Sequence, residues 1–353
     1  MVCCNSGLTF CFSGKKWLFF LTFFAIFVLY ELFGLEIPMR KLTSFLVGLF
    51  TLAAVIILAY CLYRLVPKFL EYKASDDAYN KIRNEAVRPA DSSVTPLPDE
   101  TLEEVSSEKT SETDDVDRSD ALWIDWDAFA GTEIVAWLQL GEISYPIMQA
   151  SDNEKYLHHL PDGSYNYGGS IFLYNKNNPL FTDQNSFVYG HNMANGSMFG
   201  TLKQYADPSK KDSCFYVYLP DGTRRKYRFF SVMSVMDHSQ AYTWTFASDD
   251  TFLEYQQWCK KQSLYENSPQ PSKDARYVSL STCNGYAGTN QRLVVQGQLE
   301  RVDQIQEPAS WYEEWLEKNN EALQARNEKV KEIRQLKNDF LDAKRKLFYD
   351  STR

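Results

Sequence analysis

Two long apolar stretches lie near the N-terminus. The first runs from Trp17 to Leu35, and the second, from Leu42 to Tyr63, contains no charged residue. A helix needs roughly 20 apolar residues to cross the hydrocarbon core of a bilayer. The pattern therefore predicts a membrane anchor in residues 1–74 with two transmembrane helices, at about 17–35 and 42–63. Basic residues flank both stretches, so the charges do not decide the orientation of the anchor.

Residues 75–120 change from apolar to polar and acidic. A short helix is predicted from Asp76 to Val87, and after Arg88 and Pro89 the chain is rich in Ser, Thr, Asp and Glu. Like charges repel, and the segment has few apolar side chains to bury. We expect a flexible acidic tether, which is a spacer rather than an acidic binding tail.

The last stretch, residues 304–353, is predicted to be a charged amphipathic helix. It has no Gly, and no Pro after Pro308, and it is dense in Lys, Glu, Gln and Asn. Lys337 and Lys344 interrupt its heptads, so packing against its own domain and a coiled coil both stay open, and the sequence does not define a partner. The helix carries one apolar stripe, made of Val330, Ile333, Leu336, Phe340, Ala343 and Leu347.

Between these regions, residues 121–303 predict a mainly β domain. Short runs of β-branched and aromatic residues are separated by Gly, Pro, Asn and Asp, which is typical of an antiparallel barrel or sandwich. Residues Asp249 to Leu264 are the exception, because their apolar positions recur at helical spacing. The predicted strands are Gly169 to Tyr174, Ser186 to Gly190, Cys214 to Leu219, Thr223 to Met236, Ala275 to Thr282 and Arg292 to Leu299.

Charge and cysteine spacing argue against several classes of function. The chain has 46 acidic and 37 basic side chains, a net charge of -9, and no basic stripe, which argues against nucleic acid as the main partner. Its seven cysteines show neither the paired spacing of a zinc site nor a disulfide framework. We expect no metal and no other cofactor.

Three polar residues stand at predicted strand ends, where a rigid scaffold can expose a reactive group. Cys283 ends one strand, His191 follows another, and Arg292 begins the strand after Cys283. A nucleophilic thiol needs a nearby base or cation, and an arginine can bind a carbonyl oxygen as it becomes anionic. Taken singly, each residue is as well explained by a structural role, whereas together they favour a cysteine nucleophile. His158 and His159 are expected to face solvent, and His238 shows no other sign of chemistry.

The motifs around these residues resemble the sortases, the cysteine transpeptidases that join surface proteins to the cell wall of Gram-positive bacteria. The resemblance covers roughly Ile124 to Glu300 and is similar to class B in particular, and it implies an eight-stranded sortase β-barrel with added helices. One such helix, Asp249 to Leu264, would lie between the sixth and seventh barrel strands. The matching motifs are Leu280-Ser281-Thr282-Cys283, Tyr189-Gly190-His191 and the arginine of Arg292-Leu293-Val294-Val295.

By that resemblance, Cys283 would cleave a Thr-Gly-type bond in the C-terminal sorting signal of a secreted protein and form a thioacyl-enzyme. His191 would transfer protons, and Arg292 would hold the substrate and its oxyanion. An amine from a lipid-linked cell-wall precursor or a pilin lysine would then accept the acyl group. The positions matching the peptide groove are Asn153, Leu157 and Ser281. The expected location is the cell membrane, single-pass or multi-pass, with the catalytic domain on the extracellular face.

The chain departs from the family pattern in three places. Asn284 stands where an acidic residue often follows the cysteine, and both the second membrane helix and the long C-terminal helix are unusual. Two alternative functions stay open: a cysteine protease in which water resolves the acyl-enzyme, and a non-catalytic membrane scaffold.

Overall fold

The computed structural model describes residues 39–90, 120–284 and 289–351, and only the backbone of 39–43 and 347–351. The predicted transmembrane helix at 17–35 and residues 91–119 of the predicted tether lie outside these ranges.

The first described element is helix α1, Met39–Ala86. Within the described ranges it is the one helix long and apolar enough to cross a membrane, and it contains the predicted span 42–63. The predicted short helix from Asp76 is not separate but forms the end of α1. Side chains in this part of the helix have partners on the domain that follows. Tyr79 is buried and donates its hydroxyl hydrogen to the carbonyl of Gly169, at 2.9 Å.

Eight strands close into a barrel in the order β10-β8-β7-β3-β4-β5-β6-β9. Two further strands, β1 (Val87–Pro89) and β2 (Leu122–Ile124), form a separate two-stranded sheet, so Arg88 and Pro89 are paired rather than part of a tether. The barrel strands are β3 (Ile134–Leu140), β4 (Ile143–Met148), β5 (Ile171–Leu173), β6 (Asn185–Tyr189), β7 (Cys214–Tyr218), β8 (Thr223–Met236), β9 (Tyr277–Cys283) and β10 (Gln291–Gln304).

The barrel is mixed, whereas the composition pattern alone indicated antiparallel strands. Strand β4 pairs with β5 in parallel, and so does β6 with β9. Strands β6 and β9 are buried almost throughout, which is typical of parallel strands covered on both faces. A run of apolar residues predicts a strand but does not predict its direction.

The composition pattern did not single out β3 and β4 as strands. In β3, five of the seven positions are buried, so the alternation that marks a half-exposed strand is weak. In β4, Pro146 interrupts the run, although it still pairs with Trp137 of β3. The β3–β4 hairpin forms part of the barrel, and Trp137 of β3 is fully buried in the hydrophobic core.

Helix α2, Asp249–Gln262, lies between the sixth and seventh barrel strands, as the resemblance implied. It begins at a capping box in which Ser248 and Thr251 bond to each other's backbone. Its buried residues Phe252, Tyr255 and Cys259 pack into a cluster with residues of β8, β9 and β10. The helix therefore covers one side of the barrel.

The C-terminal helix α3, Tyr312–Ser351, packs against its own domain through polar contacts. Arg326 binds both carboxylate oxygens of Asp183, each at 2.6 Å. Further along, Lys337 and Asn338 donate to the backbone carbonyls of Thr245 and Ala247, at 2.6 and 2.8 Å. Of the two arrangements left open by the heptad pattern, packing on the domain is the one observed in this chain.

Candidate active site

Strands β9 and β10 bring Cys283 and Arg292 side by side. The two residues are direct partners in the antiparallel register. Side chains that lie directly opposite each other in such a pair point to the same face of the sheet. The thiol and the guanidinium therefore share one face at the end of β9.

His191 reaches the same place from β6, the other neighbour of β9. The parallel register ends with Tyr189 opposite Ser281, and His191 and Cys283 each follow two residues later along their chains. Two hydrogen bonds extend the contact beyond the ladder. Thr282 donates its hydroxyl hydrogen to the carbonyl of Gly190, at 2.7 Å, and Asn192 donates from its side-chain amide to the carbonyl of Cys283, at 2.9 Å.

The imidazole of His191 is buried, with 6% of the residue exposed. Its Nε2 lies 2.8 Å from the carbonyl oxygen of Leu157, which can only accept, so Nε2 carries the proton and Nδ1 is the acceptor nitrogen of the neutral ring. The rings of His158 and Tyr167 stack near it, with centroids at 5.9 and 6.2 Å. Burial lowers the pKa of His191 below its ordinary 6.5, and the bond to Leu157 opposes this shift.

Arg292 is held by two kinds of acceptor. Its Nη1 donates to the backbone carbonyls of Thr289 and Gln291, at 3.0 and 2.9 Å. Its Nη2 lies 3.3 Å from Oδ2 of Asp237, which directly follows β8. These contacts orient the plane of the guanidinium beside the thiol.

Tyr242 lies beside Ser281, two residues before Cys283 on β9. Its hydroxyl lies 2.7 Å from the hydroxyl of Ser281. The pKa of Tyr242 is raised to about 12, mainly by burial, while the bond to Ser281 and the charge of Arg292 oppose the rise. Tyr242 therefore lies next to the strand that carries Cys283.

The three residues predicted to bind the peptide all have intramolecular partners. Asn153 exchanges hydrogen bonds with Asn175, at 2.9 and 3.0 Å. The carbonyl of Leu157 accepts from His191, and its side chain is half-buried. Ser281 is buried against Tyr242. Their role in binding remains a prediction.

Two residues of the site were not found by sequence reasoning. His158 was expected to face solvent, which is wrong, because it is half-buried and stacks on His191. Its neighbour His159 is half-buried too. Asp237 carries no signal in the sequence, since its pairing with Arg292 requires knowledge that β8 lies beside β10.

The described cysteines differ in their surroundings. Cys61, Cys214, Cys259 and Cys283 form no disulfide. Cys259 is fully buried, which raises the pKa of its thiol to about 12, so it is a core residue. Cys283 is only half-buried, at an open strand end. In the described ranges, no cluster of three metal-ligating side chains of His, Cys, Asp or Glu occurs.

A closed eight-stranded barrel that presents a cysteine, a histidine and an arginine at one end is the arrangement expected of a cysteine transpeptidase. The family model described as the Sortase domain matches residues 139–300. Sortase B of Listeria monocytogenes is 34% identical over 174 residues, which cover 47% of this chain and 70% of that protein. The chain belongs to the sortase family, and its relatives are of class B.

The chain is also similar to two further examples of sortase B. Sortase B of Staphylococcus aureus is 25% identical over 175 residues, covering 48% of this chain and 71% of the relative. The structure of sortase B from Listeria monocytogenes aligns with 33% identity and a TM-score of 0.43, over 48% of this chain and 95% of that structure.

Proposed function

We propose that this class B sortase is a membrane-anchored transpeptidase that cleaves a C-terminal sorting signal at a Thr-Gly-type bond and transfers the acyl group to an amine. The observation that carries this proposal is the strand register, in which β6, β9 and β10 are neighbours and bring His191, Cys283 and Arg292 to one end of the barrel.

In the first half of the reaction, the Cys283 sulfur attacks the carbonyl carbon of the Thr-Gly bond. The thiol proton passes to His191, whose neutral ring has its acceptor at Nδ1. The carbonyl oxygen becomes an oxyanion, and the guanidinium of Arg292 stabilises it. When the C–N bond breaks, the proton on His191 passes to the departing glycine amine, and a thioester remains on the cysteine.

In the second half, an amine attacks the thioester carbonyl. His191 takes a proton from the attacking nitrogen, the C–S bond breaks, and the sulfur is reprotonated. The new amide bond replaces the one that was cleaved. We propose that the amine belongs to a lipid-linked cell-wall precursor or to a pilin lysine.

The proposed location is the cell membrane, with the catalytic domain outside. Helix α1 provides the apolar segment for the anchor. A fixed anchor would keep the enzyme at the surface where secreted substrates and lipid-linked acceptors meet.

The central test is mass spectrometry of the purified full chain mixed with LPxTG-like and NPxTG-like peptides. We expect an acyl adduct on Cys283, and we expect none with Cys283→Ala, because that variant lacks the nucleophile. Cys259→Ala is the matched control, since Cys259 is buried away from solvent. An adduct that persists in Cys283→Ala would refute this assignment of the nucleophile.

Addition of an amine separates the proposed reaction from its alternatives. A transpeptidase gives a ligated product, whereas a cysteine protease gives only the hydrolysed acid. The absence of any adduct with every peptide would favour the non-catalytic scaffold.

A further inference from the structure

The guanidinium of Arg292 is buried and therefore requires a compensating anion. Its side chain is 7% exposed, and that of Asp237, its carboxylate partner, is 20% exposed. A buried charge is costly unless it is paired and hydrogen-bonded. The ion pair thus balances a positive charge that is buried beside the thiol.

The strand register explains why Asp237 faces the site. Arg292 pairs with Val235 of β8 on one side, as it pairs with Cys283 of β9 on the other. Alternation along the chain returns Asp237, two residues beyond Val235, to that same face. The backbone N–H of Asp237 donates to the carbonyl of Asn290, at 2.8 Å, which holds the end of β8 against the start of β10.

Asn284, the residue after Cys283, does not take this role. Alternation turns it to the opposite face, where its side-chain amide donates to the hydroxyl of Ser234, at 2.8 Å. It also carries no charge. The carboxylate beside Arg292 therefore comes from β8 and not from the cysteine strand.

We propose that Asp237 is a positioning residue for transpeptidation. It holds the guanidinium of Arg292 toward β8 and balances its charge, so that Arg292 meets the substrate carbonyl instead of pairing with the Cys283 thiolate. This role rests on the proposed function. It would make Asp237 an acidic residue of the catalytic site, located at the end of β8, which carries none of the three motif residues.

The first experiment measures acylation of Cys283 by a sorting-signal peptide in the full chain. Asp237→Asn is expected to lower kcat by about tenfold or more with KM within about twofold, because a displaced guanidinium affects the transition state more than peptide binding. Asp237→Glu, which keeps the carboxylate, is expected to recover most of the rate. The control is Glu300→Gln, which removes a carboxylate that pairs with Lys226 and Arg228 at the far end of β10. A kcat in Asp237→Asn equal to that of the control would overturn the proposal.

The second experiment needs no peptide and follows iodoacetamide alkylation of Cys283 against pH by mass spectrometry. Without the carboxylate, the guanidinium pairs with the thiolate, so the midpoint of alkylation in Asp237→Asn is expected at lower pH than in wild type. Faster alkylation together with slower acylation distinguishes positioning from general damage, which would not increase thiol reactivity. An unchanged midpoint would count against Asp237 even if wild type acylates no peptide, an outcome that would separately refute the proposed function.

Discussion

The acid-base behaviour of His191 follows from its burial. The ring is buried beside aromatic neighbours, and the charged form loses hydration there, so the pKa falls below the ordinary 6.5. The neutral form therefore predominates at neutral pH. A neutral imidazole can accept a proton, which is the role proposed for His191.

The same shift makes stability depend on pH. Between the folded and unfolded pKa values, the unfolded chain binds a proton that the folded chain does not, so the free energy of unfolding falls as pH falls below 6.5. We expect the melting temperature to fall less steeply below that pH in His191→Gln than in wild type. Melting curves at several pH values measure this, and His238→Gln, which replaces a side chain that is 75% exposed, is the control. Parallel curves for all three proteins would contradict the burial argument.

At the residue scale, the three motif residues could be predicted from the sequence, whereas the residues that contact them could not. Cys283, His191 and Arg292 each stand beside a run of strand-forming residues, so their approximate positions follow from the sequence. Asp237 and His158 act on them through space. Their contribution depends on which strands are neighbours and on how a short helical turn at Lys155–Leu157 folds back, and neither is encoded in local spacing.

At the scale of elements, α3 is joined to the barrel by polar groups along its length and by Tyr312 at its start, which packs against the hydrophobic core. Asp183 accepts from Arg326 and also from the side-chain amide of Asn177 and the backbone N–H of Asn178, the last two at 2.8 Å each. One carboxylate thus ties the helix to the loop before β6. The apolar stripe predicted for α3 is only partly used, because Leu336 and Phe340 remain 68% and 69% exposed.

Arg326→Ala is expected to lower the free energy of unfolding by about 1–3 kcal/mol, since it leaves the largely buried carboxylate of Asp183 without its charged partner. Urea unfolding of the full chain measures the change. Lys331→Ala removes an exposed pair with Glu328 on the same helix and is expected to change the free energy by less than about 0.5 kcal/mol. Equal effects of the two substitutions would mean that the Asp183 contact does not stabilise the domain.

Helices could be predicted where their signals are local in sequence, but not where contacts with distant residues determine their extent. The acidic first turn and apolar spacing of α2 identify it from the sequence alone. By contrast, the stretch from Asp76 to Val87 looks like a separate short helix, because the contacts of Tyr79 and Arg83 with the barrel are distant in sequence. The observed helix α1 continues through Pro67 to Ala86.

At the scale of the whole molecule, an external catalytic domain can be tested by labelling. A cysteine introduced as Ser106→Cys in the acidic segment is expected to react with a membrane-impermeant maleimide on intact cells, because that segment would lie on the same side as the barrel. The parent chain without this cysteine is the control, and lysed cells give the full signal. Labelling only after lysis would place the segment inside and contradict the proposed location.

Strand β10 closes the barrel between β8 and β9 and also carries Arg292. It is the last barrel strand to be synthesised, and the hydrogen bond between Asn192 and Cys283 joins residues that are 91 positions apart. A nascent chain therefore has a thiol but no finished pocket until its final strand has emerged, and contacts of such long range form slowly. Under the proposed function, peptide cleavage is therefore expected to begin only once β10 has joined the barrel.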